Sequence, residues 1–180
     1  MKTIFRIFLT FFLILGVSLM SANAAVDKDN ILYMDTKYGR VTIEMLPKIA
    51  PKTVARIKEL VKSKFYDGLT FHRVVNDFVV QGGDPKGNGT GGSGQNIPAE
   101  FSKEPHSRGA VSMARAADIN SADSQFFIVL KDANFLDGQY TVWGRVTEGM
   151  DVVDKIKKGA PGSGVVNDPD VILKMTLASE

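Results

Sequence analysis

The chain has 180 residues, 44% of them hydrophobic and 23% charged, with 22 Lys and Arg against 20 Asp and Glu. It has no cysteine, which excludes a disulfide framework, a thiol nucleophile and thiolate metal ligands. A formal net charge of only +2, with no basic cluster interleaved with aromatics, argues against nucleic acid as a partner.

The N-terminus carries Lys2 and Arg6, then an uncharged apolar run from Ile7 to Leu19, then Ser21-Ala22-Asn23-Ala24-Ala25. A basic start, a short apolar stretch and an Ala-x-Ala site predict a secretory signal peptide over residues 1–24. Cleavage is expected after Ala24, with the bond after Ala25 as the alternative. An uncleaved membrane anchor is the competing reading, although the run is short for a spanning helix. Lys2 and Arg6 are the leader's only charges, so its removal takes the formal net charge from +2 to zero. Roughly 155 residues then remain (25–180), enough for one domain with one sizeable core. The expected destination is a bacterial periplasm, with no stable membrane anchor once the leader is gone.

The mature chain opens with a predicted hairpin: Ile31 to Thr36, a turn at Lys37 to Arg40, then Val41 to Met45, with Thr42 and Glu44 alternating against Val41, Ile43 and Met45. Pro47 and Pro51 stop it, and Pro51 suits the first turn of a helix. Over Thr53 to Ser63 the apolar Val54, Ile57, Leu60 and Val61 recur at helical spacing, with a solvated face of Arg56, Lys58, Glu59 and Lys62. Two short strands follow, Leu69 to Val75 and Phe78 to Gln81, joined by Asn76-Asp77. Into this apolar setting the sequence puts one arginine, Arg73, and one amide, Gln81. If Phe71 and Arg73 share a strand face, the guanidinium projects beside an aromatic ring; the alternative is an exposed arginine on a sheet surface.

Asp84 to Gln95 is glycine-rich but lacks the Gly-Lys-Ser/Thr ending of a phosphate-binding loop, and reads as an irregular surface loop. Asn96 to Arg108 continues as loop. Three strands are expected at Gly109 to Ala114, Gln125 to Leu130 and Gln139 to Thr147, with a short polar segment from Arg115 to Asp123. Met150, Val153 and Ile156 mark a second helix over Met150 to Lys157. A closing strand, Asp170 to Leu177, alternates Val171, Leu173, Met175 and Leu177 against polar neighbours. Many short strands with two helices predict a mainly β domain, either a sandwich or a barrel. With His72 and His106 the only histidines, no Ser-His-Asp spacing stands out and no His-Glu-x-x-His occurs.

The stretches Phe71-His72-Arg73-Val74-Val75 and Phe78-Val79-Val80-Gln81-Gly82-Gly83-Asp84 resemble the signature of the cyclophilin family of peptidyl-prolyl isomerases. The resemblance continues in order through Gly89-Thr90-Gly91-Gly92, Gly109 to Ala114, Ser124-Gln125-Phe126-Phe127-Ile128, Leu136-Asp137-Gly138 and Val142 to Val146. It implies a closed eight-stranded antiparallel β-barrel capped by two α-helices. It also implies an enzyme that accelerates rotation about X-Pro bonds and assists the folding of exported proteins, a monomer acting on proline-containing unfolded or partly folded polypeptides. Such rotation breaks no covalent bond, so no metal or cofactor is expected.

By the same resemblance Arg73 is the catalytic residue. Phe78, Val79, Phe127 and Leu136 line the proline pocket, Gln81 and Gln125 make polar contacts, and Ala114, Arg115 and Ala116 offer main-chain groups to an extended peptide. His72 is implied at the pocket edge, its alternative being a partly buried histidine bonded to backbone. Phe135 and Tyr140 complete the site. Several positions depart from the best-known eukaryotic pattern. Val79 stands where methionine is common, Arg115 where asparagine is, Phe135 where tryptophan is and Tyr140 where histidine is. Weak cyclosporin binding is the expectation, since Phe135 has no indole N–H. The loop Ala117 to Asp123 is about one residue longer than the common pattern. Two other classes compete with the isomerase: a module that only binds proline peptides, and a β-barrel carrier of a small apolar ligand.

Overall fold

The computed structural model describes residues 27–180; the expected leader and its cleavage bonds lie outside them. Among the described residues there are eight strands and two α-helices. In chain order they are β1 (Ile31–Thr36), β2 (Gly39–Met45), α1 (Pro51–Lys62), β3 (Arg73–Val75), β4 (Val79–Gly82), β5 (Ala110–Met113), β6 (Phe126–Val129), β7 (Val142–Glu148), α2 (Met150–Lys155) and β8 (Lys174–Leu177). No helix among the described residues is long and apolar enough to cross a membrane.

The hairpin β1–β2 forms as its alternation predicts. Leu32, Met34, Val41, Ile43 and Met45 are buried, while Asp35 faces out and pairs with Arg40 through two bonds of 2.7 and 3.0 Å. The turn is tighter than expected, because Thr36 pairs directly with Gly39 and its hydroxyl accepts the Tyr38 N–H at 3.1 Å. Helix α1 begins at Pro51 with no side-chain cap of its own. Its free N–H groups are met from a distance by Glu100, which accepts from Lys52 and Thr53 at 2.9 and 2.8 Å. The predicted apolar face, Val54, Ile57, Leu60 and Val61, is buried, and α1 packs against β8 while α2 packs against β2.

All pairings are antiparallel, in the order β3-β4-β6-β5-β7-β2-β1-β8. The expected closed barrel does not form as a continuous ladder: the sheet is a curled half-barrel with β3 and β8 at its edges. Loop backbone laces the gap. Thr70 bridges Val171 and Arg73 bridges Val165, with hydrogen bonds from Phe71 N–H to Asp170 O (2.9 Å) and from Val74 N–H to Gly164 O (2.7 Å). The lacing segment holds Gly159, Pro161, Gly162, Gly164 and Pro169, which interrupt regular pairing.

Strands β5 and β6 are each one residue shorter at both ends than the sequence predicts, and three others begin three or more residues late. The first begins at Arg73 rather than Leu69, and the β7 strand at Val142 rather than Gln139, behind a tight turn after the 3-10 segment Asn134–Leu136. The last begins at Lys174 rather than Asp170, and its phase slips: Ile172 is fully buried while Leu173 is 53% exposed. Ile172 exchanges backbone bonds with Gly68 and Leu69 across the gap, so its parity is set by that contact and not by β8.

Two apolar clusters lie on opposite faces of the sheet. The larger fills the interior with Trp143, Tyr66, Phe71, Phe126, Met113 and Ile128, each under 2% exposed. An interior filled in this way disfavours the carrier of a small apolar ligand. The smaller cluster, Val79, Ala110, Phe127, Val129, Ala133, Leu136 and Val142, covers the outer face of the central strands. Both faces of β4, β5 and β6 are therefore covered, so apolar residues stand side by side in them, as in Val79-Val80, Ala110-Val111 and Phe126-Phe127, and no simple alternation remains.

Candidate active site

Strand register lines up the outer-face residues. Arg73 of β3 lies opposite Gln81 of β4, Gln81 opposite Phe127 of β6, and Phe127 opposite Ser112 of β5. One row across four strands thus places a guanidinium, an amide, an aromatic ring and a hydroxyl side by side. Phe71 does not share this face. It lies outside the strand and packs in the interior, so the ring beside Arg73 is Phe127.

Arg73 is held by two acceptors. Its Nε donates to the Ser163 carbonyl (3.2 Å) and its Nη1 to Gln81 Oε1 (3.2 Å). An arginine only donates, so Gln81 must present its oxygen there. Its amino group then donates to Gln125 Oε1 (3.0 Å), and the Gln125 amino group donates to the Gly89 and Gly91 carbonyls (3.0 and 2.9 Å). The polarity of the whole chain follows from the arginine. Two anchors fix the guanidinium plane, and its Nη2 group has no acceptor among the described residues.

The glycine loop that terminates this chain is an irregular surface loop, as expected, and two aspartates shape it from below. Asp84, 1% exposed, accepts the N–H groups of Lys86, Asn88 and Gly89 at 2.8, 3.0 and 2.6 Å. Burial pushes the Asp84 carboxyl up, but these backbone donors together hold it below the usual carboxylate range. Asp123 accepts from the Ser93 N–H (2.7 Å), the Ser93 hydroxyl and the Gly94 N–H (2.9 Å). A Cβ on Gly91 would lie 2.0 Å from Asp84 Oδ1, so the close approach requires glycine.

Arg73, Phe78, Val79, Gln81, Ala114, Arg115, Phe127, Leu136 and Tyr140 line one cleft of about 240 Å³. Its floor is Phe127, met edge-on by Tyr140 at 5.7 Å between ring centroids. The Arg115 guanidinium lies 4.8 Å over the Tyr140 ring and donates to the Gln139 and Ala116 carbonyls. A second cleft of about 350 Å³ adjoins it through Gln81, Ala114 and Arg115, and Ala116 and Gln125 line that one. Two predicted residues stand apart. Phe135 is 67% exposed and stacks on Phe78 at 5.6 Å rather than lining either cleft. His72 is 6% exposed, lines neither cleft and has no hydrogen-bond partner on either ring nitrogen among the described residues; burial lowers its pKa.

Sequence reasoning missed the groups behind the walls. His106, with no exposed surface, stacks on Phe127 and meets Asp137 and Ser112, bringing a Ser-His-Asp set together after all. It is no nucleophilic triad: Ser112 is fully buried and donates its proton to the Thr141 carbonyl at 2.8 Å. Three positions scattered over residues 106–137 carry no spacing signal; only the fold joins them, Ser112 from β5 with His106 and Asp137 from the connecting segments.

The chain is similar to known proteins over most of its length. The family model for the cyclophilin type peptidyl-prolyl cis-trans isomerase matches residues 31–177. A probable peptidyl-prolyl cis-trans isomerase of Brucella suis is 47% identical over 182 residues, spanning 94% of this chain and 93% of its own. Peptidyl-prolyl cis-trans isomerase B of Bacillus subtilis is 45% identical over 67% of this chain and 85% of its own. Among solved structures, a cyclophilin from Hirschia baltica superposes with a TM-score of 0.76 at 29% identity, over 86% of this chain and 76% of that one. A Cryptosporidium parvum cyclophilin type isomerase, solved in the presence of the dipeptide Ala-Pro, gives 0.74 at 28% identity, over 82% and 98%.

Proposed function

The chain belongs to the cyclophilin-type peptidyl-prolyl cis-trans isomerase family, and from that premise we propose that its outer-face cleft takes the ring of a proline and that Arg73 drives the rotation. The observation that carries this reading is a twice-anchored guanidinium at the edge of an apolar cleft. The barrier to rotation, ~18–20 kcal/mol for peptide bonds generally, is amide resonance. Twisting the bond localises a lone pair on the imide nitrogen. A donor that meets this twisted state better than the planar one lowers the barrier by differential binding. Arg73 suits the task because its charge is permanent and its donors lie in one plane, which Ser163 and Gln81 fix before substrate arrives. Val79, Phe127 and Leu136 grip the ring, and the residues before proline extend past Ala114, Arg115 and Ala116 towards Gln125.

The physiological reading is an exported, monomeric isomerase acting on proline-containing polypeptides as they fold in the periplasm. The basic and apolar start of the chain with its Ala-x-Ala site supports it. Determining the N-terminus of protein recovered from the periplasmic fraction tests export; a chain retaining Met1 in the cytoplasm would refute it. The test of mechanism is cis-to-trans isomerisation of a short X-Pro peptide by wild type and the Arg73→Ala variant. Losing one preorganised donor is expected to lower kcat about 10²–10³-fold. Near-normal turnover by a folded variant would remove Arg73 from the mechanism.

A further inference from the structure

The two clefts share one charged side chain. Arg115 lines both the cleft of about 240 Å³ and the adjoining one of about 350 Å³. Its half-buried guanidinium is held in place by the backbone around it. Nε and Nη2 donate to the Gln139 carbonyl at 3.2 and 3.1 Å, and Nη1 donates to the Ala116 and Ala117 carbonyls at 2.9 and 3.3 Å. The guanidinium carbon lies 4.8 Å over the Tyr140 ring. A guanidinium has five N–H donors in one plane, so these four bonds leave one N–H on Nη2. Carbonyl oxygens satisfy donors without cancelling the charge, and among the described residues Arg115 has no carboxylate partner.

The other charged residues lining the two clefts are Arg73 and Asp123. Both oxygens of Asp123 are taken up by the glycine-rich loop. Oδ1 accepts from the Ser93 N–H at 2.7 Å and from the Ser93 hydroxyl, and Oδ2 accepts from the Gly94 and Gln95 N–H groups at 2.9 and 3.2 Å. Asp118, three residues beyond Arg115, lies outside both linings, and its carboxylate accepts the Asn120 N–H at 2.8 Å within its own turn. The place where the clefts join is therefore positive, and its acid is already occupied.

We propose that Arg115 is a specificity-determining residue, which selects polypeptides carrying a glutamate or aspartate one or two residues before the proline. This rests on the cleft reading given above: with the proline ring over Phe127, the preceding residues run past Ala114, Arg115 and Ala116, where the two clefts meet. An exposed ion pair usually gains little, because two long side chains must be ordered to make it. Here one partner is ordered before the substrate arrives, which lowers that cost. A lysine at the same place meets a like charge, with the Arg73 guanidinium across the cleft.

The test is kcat/KM for two series of short alanine-based X-Pro peptides, with Glu, Gln or Lys placed either one or two residues before the proline. At low salt, in at least one series, Glu is expected to exceed Lys by about tenfold with Gln between them, a few-fold for each charge. The preference should shrink at about 1 M salt, where the Debye length falls to about 3 Å. Arg115→Gln should bring Glu and Lys to within about threefold, and Arg115→Lys, which keeps the charge but loses the rigid fork, should fall between variant and wild type. A purely structural Arg115 would lower all the peptides together and leave the Glu-to-Lys ratio intact, and that result would overturn the proposal. So would equal turnover of the Glu and Lys peptides by wild type in both series at low salt. Failure of the cleft reading itself would show separately, as undiminished turnover of the all-alanine peptide by Arg73→Ala whatever the Glu-to-Lys ratio.

Discussion

Phe126 and Phe127 are neighbours in one strand with opposite fates, and truncating each in turn separates core from site. Phe126 has no exposed surface and meets Tyr66 and Trp143 edge-on at 5.7 and 6.1 Å inside the sheet. Its removal leaves a cavity closed on all sides, which places Phe126→Ala at the upper end of the ~3–5 kcal/mol range for such truncations. Phe127 is 6% exposed and belongs to the smaller outer cluster, where the cleft opens beside it. Water and the neighbouring Leu136 can occupy part of the space it leaves, so Phe127→Ala should fall at or below ~3 kcal/mol. At ~2–4 °C per kcal/mol for a domain of this size, that is a shift of roughly 6–12 °C. Activity should follow the reverse order. Per folded molecule, Phe126→Ala should keep most of its kcat/KM, whereas Phe127→Ala loses the floor of the proline cleft and should fall by tenfold or more, or about 1.4 kcal/mol. Thermal melts and peptide isomerisation, run below both midpoints, decide the matter. Equal stability losses, or a Phe127→Ala variant of normal turnover, would refute the division of the strand into an inner core face and an outer site face.

Gln125→Leu should lower kcat/KM about tenfold, the equivalent of ~1.4 kcal/mol, because Gln81 then loses the acceptor that holds its oxygen toward Arg73; unchanged kinetics would mean that Ser163 alone orients the guanidinium. Glu100→Ala should destabilise the fold by about 0.5–2 kcal/mol, the usual range for a lost helix cap, with chemical denaturation as the check and an unshifted midpoint as the refutation. Acid should weaken the fold in two steps of the same sign. Burial lowers the folded pKa of His72, so the unfolded chain takes up this proton first: its stability contribution is complete above about pH 6.5 and is lost as pH falls through the folded value. Asp84, also lowered, contributes above about pH 3.9 and loses that contribution on further acidification. A His72→Phe variant should therefore show a flatter midpoint between pH 7.5 and 5 than wild type, and parallel slopes would exclude His72 as the first step.

What the sequence makes legible depends on whether a strand has one wet face. In β2 it does, so Val41, Ile43 and Met45 alternate against Thr42 and Glu44 and their burial follows directly. In β4 and β6 both faces are covered, and Val79-Val80 and Phe126-Phe127 offer no clue as to which member faces the cleft. There the family resemblance supplied the site residues, and the structure supplied the physical reason. The closing strand misled for a different cause: Val171, Leu173, Met175 and Leu177 alternate well, yet contact with Gly68 and Leu69 turns Ile172 inward. A periodicity argument assumes one continuous strand, and this one begins only at Lys174.

The open ladder and the position of the cleft are connected. Edge strand β3 is only three residues long, and its outer neighbour is the irregular lacing segment that holds Gly159, Gly164 and Val165 rather than another strand. A full strand in that place would pair with β3 through a regular antiparallel ladder of backbone bonds. Instead the Ser163 carbonyl accepts from the Arg73 side chain, while Gly164 and Gly159 bond the Val74 backbone. Gly164 has φ of +74°, and a Cβ there would sit 2.5 Å from Val75 Cγ2, so the loop approaches this closely only because it is glycine. The half-barrel thus leaves one carbonyl free to orient the guanidinium, at the place where sheet pairing would otherwise have continued.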